Sequence, residues 1–170
     1  MNAMRRLALA SAVTLAVFGS DVLAQQKGGN LKRQIEGSWS LVSQYVQQGD
    51  KKVNGFGPTP KGLATFGRDG RFSMMLFSAG LPRIAGNNRM QGTPEENKAI
   101  VQGSIAYYGT YQVNETDKSV EMKIEGSTFP NYEGQPQKRP IVIKGDEMTM
   151  SNPTPALGAG IANLVWKRAK

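Results

Sequence analysis

The sequence predicts an all-β protein: an eight-stranded, antiparallel, up-and-down barrel with one short helix between its third and fourth strands. Eight segments carry strand patterns, and the connections between them are alternately long and short. Alternate connections of an up-and-down sheet lie at the same end, so the four long ones meet at a mouth and the tight turns form a floor. Closing eight strands into a barrel removes exposed edges; a two-sheet sandwich is the alternative.

The first 24 residues have the pattern of a signal peptide. A basic start precedes an apolar run of 12 residues, Leu7 to Phe18, which is too short to span a bilayer, and Val22-Leu23-Ala24 suits a signal peptidase. We expect cleavage near Ala24 and a periplasmic protein, with secretion as the alternative and no transmembrane segment in the mature chain. The predicted organisation is a signal peptide over 1–24, a flexible leader over 25–34 and a barrel domain over 35–169.

Charge and composition exclude several classes of function. Loss of Arg5, Arg6 and Asp21 with the signal peptide lowers the formal charge from +8 to +7. The remaining excess is scattered in short pairs, whereas a nucleic-acid surface needs clustered cations, so we predict no nucleic-acid partner and only weak attraction to anionic envelope surfaces.

Histidine and cysteine are both absent from the sequence. Transition-metal sites are therefore not predicted, since those ions favour imidazole and thiolate ligands. A Ser/His or Cys/His nucleophilic pair is impossible. We predict no cofactor, no metal site and no catalytic residue; any catalysis has to use carboxylates, Tyr, Lys or Arg.

Period-two alternation of apolar residues marks the strands. In the first strand Trp39, Leu41, Ser43 and Tyr45 share a face, and a tight turn at Asp69-Gly70 joins the second and third strands. The predicted strands cover 36–47, 61–67, 71–78, 104–114, 119–126, 137–144, 147–151 and 161–169.

One helix interrupts this pattern. Thr93 and Glu96 have the spacing of a capping box, and Pro94 suits the first helical position. The predicted helix runs from Pro94 to about Gln102, where Gly103 stops it.

The later strands repeat the alternation. Gly109, inside the fourth strand, predicts a bend of the kind that barrels need. The inward-facing residues of these strands are Ile105, Tyr107, Tyr111 and Val113, then Val120, Met122 and Ile124, then Ile141, Ile143, Met148 and Met150, and finally Leu164, Trp166 and Arg168.

Several motifs resemble the bacterial and fungal family of lipocalin-like domain proteins. Gly37-Ser38-Trp39 opens the first strand, and Trp166-Lys167-Arg168 ends the last. The other matching motifs are Thr93-Pro94-Glu95-Glu96, Ala106-Tyr107-Tyr108-Gly109-Thr110-Tyr111 and Glu125-Gly126-Ser127-Thr128-Phe129-Pro130-Asn131-Tyr132.

The resemblance implies a calycin-type barrel that is closed at one end by Arg168 over the Trp39 ring, a structural cation–π contact. It implies, by analogy, binding of a small hydrophobic molecule, and it carries over no catalytic residue. The family often has His near the position of Met122, and this chain has none.

Strand direction predicts which residues lie near the mouth. Odd strands run from floor to mouth and even strands run back, and loop aromatic residues are placed to cover the opening. Ordinary core packing is the alternative for Tyr45 and Tyr107, and Met150 also suits simple core filling. The predicted ligand-binding residues are Tyr45, Leu76, Tyr107, Arg139, Met150, Phe129 and Tyr132.

Arg139 shares a face with Ile141 and Ile143, which aims a guanidinium into an apolar interior. A charge there needs a partner. That partner is a ligand carboxylate or phosphate, or else Glu133 or Glu147. In the alternative, the strand begins one residue later and Arg139 reaches outward to solvent.

The sequence thus predicts an exported protein that binds a small hydrophobic molecule in its barrel, and an acidic group on that molecule would pair with Arg139. Two alternatives stay open. One is a barrel filled by its own side chains that acts as a protein-interaction module. The other is an isomerase or cyclase that uses one Tyr or carboxylate in the pocket.

Overall fold

The computed structural model describes residues 30–170, so the predicted signal peptide and the first half of the predicted leader, 25–29, lie outside the described residues. Two α-helices, nine strands and two single-turn 3-10 helices make up the described chain. In chain order they are α1 (Leu31–Ile35), β1 (Gly37–Gln48), β2 (Lys51–Val53), β3 (Lys61–Phe66), β4 (Arg71–Phe77), a 3-10 turn (Arg89–Gln91), α2 (Pro94–Gln102), β5 (Ser104–Asn114), β6 (Ser119–Ser127), a 3-10 turn (Pro130–Tyr132), β7 (Pro136–Lys144), β8 (Glu147–Asn152) and β9 (Ile161–Arg168).

The strands form one antiparallel sheet that closes on itself. Each strand from β3 to β9 pairs with the next, and β9 pairs with β1 along almost its whole length. β3 pairs with the start of β1, and the short β2 pairs with the end of β1. Because β2 and β3 occupy successive stretches of one edge of β1, the wall has eight strands around it. The predicted closed eight-stranded barrel is confirmed.

The predicted position of the short helix in the order of strands is wrong. It lies after β4, not between the third and fourth strands, because β2 forms within a segment that the sequence pattern indicated as loop. The helix itself begins at Pro94, and its capping box is complete: Glu96 N–H donates to Thr93 Oγ1 at 3.2 Å, and Thr93 N–H donates to Glu96 Oε2 at 2.8 Å.

A β-bulge in β1 reverses the face on which its side chains lie. The register with β9 shifts between Leu41 and Ser43, and Val42 at the shift is 52% exposed. Trp39 and Leu41 are buried before the bulge, and Gln44 and Val46 are buried after it. The inward set is therefore odd-numbered in the first half of β1 and even-numbered in the second.

Gly109 marks a second irregularity, where the pairing of β5 with β6 shifts between Tyr108 and Gly109. A Cβ at residue 109 would lie 2.0 Å from the carbonyl oxygen of Lys123, which no side chain allows. Only glycine fits this close backbone approach, so the predicted bend in the strand is confirmed.

The floor of the barrel is sealed by α1 and the Trp39 indole. Ile35 is fully buried, and Trp39 Nε1 donates to the Ile35 carbonyl at 2.7 Å. The Arg168 guanidinium carbon lies 4.2 Å from the Trp39 ring centroid, as predicted. Leu31, at the start of α1, is also buried.

Large side chains fill the lower interior. They include Trp166, Met122, Met148 and Met150, each no more than 1% exposed. Within residues 30–170, no helix has the length and apolar character that a bilayer span requires.

Candidate functional site

A cavity of about 460 Å³ opens at the end of the barrel opposite α1. Each of the four long connections contributes to its lining: Phe56 between β2 and β3, Val101 on α2, Phe129 between β6 and β7, and Ala156 between β8 and β9. The long connections thus gather around one opening. The volume lies within the range of about 300–1,000 Å³ typical of small-molecule sites.

The structure brings five of the seven predicted ligand-binding residues together in the cavity lining. Two of the predicted residues, Tyr45 and Met150, do not line it. The five that do are Leu76, Tyr107, Phe129, Tyr132 and Arg139.

The prediction that Tyr45 faces the interior is wrong. The bulge at Val42 turns Tyr45 to the outer face, where it pairs with Asn163 of β9 and lies under the Lys52 ammonium, 4.6 Å from the ring centroid. The same shift turns Gln44 inward, where it is 3% exposed and lines the cavity. The period-two prediction did not include the bulge, so it selected Tyr45 as the inward-facing residue instead of its neighbour Gln44.

Met150 faces the interior as predicted and is fully buried, but it belongs to the packed core beside Ile141 and Leu164. Leu164, which the strand pattern predicted to face inward, lines the cavity. The lining residues that sequence reasoning missed include Gln44 and a group on the loops and strand ends: Asn152, Pro155, Ala156, Leu157 and Ala162.

Arg139 is the charged residue of the cavity lining. Its side chain is buried, at 1% exposure, so the alternative in which it reaches outward is wrong. One Nη donates to Gln137 Oε1, and the guanidinium also contacts the Tyr107 hydroxyl. Nε has no hydrogen-bond partner.

Neither predicted protein carboxylate pairs with Arg139. Glu133 Oε1 instead accepts the Ser127 N–H at 3.0 Å, and Glu147 is exposed at the turn between β7 and β8. Across the described chain, 30–170, no ion pair includes Arg139. The guanidinium is therefore a buried cation without an anionic partner.

Tyr107 does not supply the missing negative charge. Burial raises the pKa of its hydroxyl, and the nearby Arg139 charge only partly opposes this effect. The neutral hydroxyl donates to Met74 Sδ at 2.8 Å and leaves its lone pairs for the guanidinium. Tyr107 thus orients Arg139 but does not neutralise it.

Aromatic rings form one side of the cavity. The Tyr132 ring lies edge-to-face against Tyr107 at 5.7 Å and against Phe129 at 5.1 Å between centroids. The Tyr132 hydroxyl accepts the Ala156 N–H at 2.8 Å and lies 3.4 Å from Asn152 Nδ2. Tyr132 therefore ties the β8–β9 loop to the 3-10 turn across the cavity wall.

The β2–β3 and β8–β9 loops meet above Gln44. A Cβ on Gly55 would lie 2.2 Å from Leu157 Cδ1 and 3.2 Å from Gln44 Oε1, so glycine permits this close approach. Gln44 Oε1 is buried beneath the two loops and has no hydrogen-bond partner. The cavity thus contains two unpartnered polar atoms, the Arg139 Nε–H donor and the Gln44 Oε1 acceptor.

The cavity lining is mostly apolar. Apart from Arg139, its polar groups are amides, hydroxyls and backbone, and none of the described lining residues is a carboxylate. No group of His, Cys, Asp or Glu within 30–170 is arranged to hold a metal ion.

Comparisons with known proteins agree with the barrel and its cavity. The chain is 29% identical over 105 residues to the 4'-hydroxy-3'-methoxypropiophenone carrier protein ppsC of Aspergillus oryzae, an alignment that covers 56% of this chain and 95% of that relative. A family model described as a lipocalin-like domain matches residues 36–169. Since this match covers most of the chain, the protein belongs to the lipocalin-like domain family.

Proposed function

We propose that this protein is a carrier of a small hydrophobic molecule that bears an anionic oxygen, and that Arg139 is the counter-ion of that oxygen. The observation that carries the proposal is the burial of Arg139, at 1% exposure, without a carboxylate partner among residues 30–170. Arginine does not deprotonate in proteins, and an unpaired buried charge is costly. A ligand anion beside the guanidinium offsets that cost.

The apolar part of the lining supplies affinity without specificity. Leu76, Ile105 and Leu164 face the cavity together with the aromatic side. Burial of apolar ligand surface against them contributes about 25 cal/mol per Å². The similarity to a relative named as a carrier of a small aromatic molecule supports the same general role here.

Neither alternative has a comparable observation in its favour. A cavity of about 460 Å³ disfavours a barrel filled by its own side chains. An isomerase or cyclase needs a proton acceptor close to its substrate. The described lining residues include no carboxylate, and the whole sequence has no histidine. Tyr107 lines the cavity, but burial raises the pKa of its hydroxyl, which makes it a poor proton acceptor.

Export through the predicted signal peptide, 1–24, is part of the proposal. Mass spectrometry of the protein recovered from the periplasm of its own host tests it, and we expect a chain that begins at Gln25. A cytoplasmic chain that retains Leu7 to Phe18 contradicts export and leaves the carrier function standing.

The carrier function is tested first by native mass spectrometry of protein purified from its host. We expect a reproducible small-molecule mass on part of the population. Affinity for two fluorescent probes then tests the role of Arg139. These are anilinonaphthalene sulfonate, which is anionic, and N-phenyl-1-naphthylamine, which has similar rings and no charge.

Replacing Arg139→Met should weaken binding of the sulfonate about 10- to 100-fold, the effect of one lost charge-assisted hydrogen bond, and leave the neutral probe within about twofold. Lys144→Met is the matched control, because it removes one cation from an exposed position of the same strand. Equal losses for both probes, or equal losses in the two variants, contradict the role of Arg139.

A further inference from the structure

We infer that the ligand of this cavity is a hydroxylated aromatic acid, whose acidic oxygen lies at Arg139 and whose hydroxyl donates to Gln44 Oε1. The placement of the acidic oxygen at Arg139 rests on the proposed function. The placement of the ligand hydroxyl at Gln44 rests on a separate observation: Gln44 is 3% exposed, and its amide oxygen is buried without a partner among the described residues. A buried acceptor left unpaired is costly, so a ligand that donates to it is favoured.

The two polar groups lie on different walls of one cavity. Gln44 is on β1 and pairs with Leu164 of β9, beneath the loops that carry Gly55 and Leu157. Arg139 is on β7 and is held by Gln137 and Tyr107. Two further strands, β8 and β9, separate β7 from β1 around the barrel. A ligand that reaches both groups therefore carries its acidic oxygen at one end and its hydroxyl at the other.

The surface between these ends favours an aromatic ring. Phe56, Tyr107, Phe129 and Tyr132 all line the cavity, and Tyr132 contacts two of these rings edge-to-face. Aromatic ligands extend such edge-to-face contacts, which a saturated chain cannot reproduce. A rigid ring also holds its two substituents apart at a low cost in conformational entropy.

The test uses isothermal titration of the mature protein with four probes: cinnamate, 4-hydroxycinnamate, 4-methoxycinnamate and 10-hydroxydecanoate. Wild-type protein should bind 4-hydroxycinnamate about tenfold more tightly than cinnamate, the effect of one buried hydrogen bond. The methoxy compound cannot donate and should gain nothing over cinnamate. The saturated hydroxy acid should bind more weakly than 4-hydroxycinnamate.

Gln44→Met keeps the length of the side chain and removes the acceptor. This variant should lose the preference for the hydroxyl, so that it binds 4-hydroxycinnamate no more tightly than cinnamate. Gln112→Met is the matched control, since Gln112 is an exposed glutamine on β5. This control should bind all four probes like wild type.

Several results overturn the inference. They are equal binding of the hydroxyl, methoxy and unsubstituted probes, a hydroxyl preference that persists in Gln44→Met, tighter binding of 10-hydroxydecanoate, or no binding of any probe. The ranking in wild-type protein decides the matter even if the variant fails to fold. If binding depends on Arg139 but shows no preference for the hydroxyl, this inference is wrong and the proposed carrier function is unaffected. The carrier function is tested separately, by the sulfonate probe and by native mass spectrometry.

Discussion

Arg168, near the end of the last strand, holds its guanidinium 4.2 Å from the ring of Trp39 in the first strand. It also donates to the carbonyl oxygens of Glu36 at 3.0 Å and Gln34 at 2.7 Å. The Arg168 guanidinium is thus held at the floor of the barrel by the Trp39 ring and by two carbonyl oxygens. Arg139, at the mouth, has no carboxylate partner among residues 30–170 and one unpartnered nitrogen. The two arginines therefore differ: Arg168 is bonded to other parts of the fold, whereas Arg139 keeps an unpartnered nitrogen that the proposed ligand would meet.

Arg168→Ala should lower the free energy of unfolding by about 1–3 kcal/mol, because it removes the cation–π contact and two hydrogen bonds to carbonyl groups. Urea denaturation of the mature chain measures this change. Lys167→Ala, at the adjacent exposed position, should change stability by less than about 0.5 kcal/mol. Equal effects at both positions contradict a structural role for Arg168.

Arg139→Met should leave the free energy of unfolding of the ligand-free protein unchanged or raise it. Apolar replacement of a buried charge at similar volume is often neutral or stabilising by about 1–4 kcal/mol. Urea denaturation of protein stripped of ligand provides the measurement. A loss above about 1 kcal/mol indicates instead that Arg139 stabilises the barrel itself.

Tyr132→Phe should loosen the β8–β9 loop while it preserves the ring contacts in the cavity wall. The lost hydroxyl accepts the Ala156 N–H at 2.8 Å, so we expect faster hydrogen exchange at that amide and a stability loss of about 1 kcal/mol. Dissociation of anilinonaphthalene sulfonate should also be faster. Tyr45→Phe removes a hydroxyl from the outer face and is the control; unchanged exchange at Ala156 in Tyr132→Phe contradicts the prediction.

Tyr111 should make stability depend on alkaline pH. Burial, together with the charges of Glu36 and Asp69, raises the pKa of Tyr111 to about 12. The folded state holds this proton more tightly than the unfolded state, whose tyrosine pKa is about 10. The stabilising contribution is therefore complete below about pH 10 and is lost as the pH rises through about 12.

Tyr111→Phe lacks this titration and also loses the hydrogen bond to the Gly67 carbonyl at 2.8 Å. Its urea midpoint should be lower than that of wild type at neutral pH, and it should fall less steeply above about pH 10. Tyr108→Phe, which removes a hydroxyl from a 53% exposed position, is the control. Parallel pH profiles for wild type and Tyr111→Phe are inconsistent with this effect.

Local signals in the sequence predicted most of the barrel. The capping box at Thr93 and the bend at Gly109 depend on neighbouring residues and on steric limits of the backbone, and both are confirmed. The three-residue strand β2 was missed because its residues are all exposed and show no alternation. That omission is the reason why the helix received the wrong place in the strand order.

Residue order by itself predicted the number of strands in the wall and the end at which the long loops gather, because these follow from side-chain alternation and antiparallel connection. It left open whether Arg139 faces inward, which its burial in the structure decided. Only the tertiary structure decided that Gln44 replaces Tyr45 in the cavity and that Arg139 has no carboxylate partner among residues 30–170. A β-bulge depends on how two strands meet across the sheet, and the absence of a counter-ion depends on which side chains the closed barrel brings within reach. Neither property is local to the segments that carry these residues.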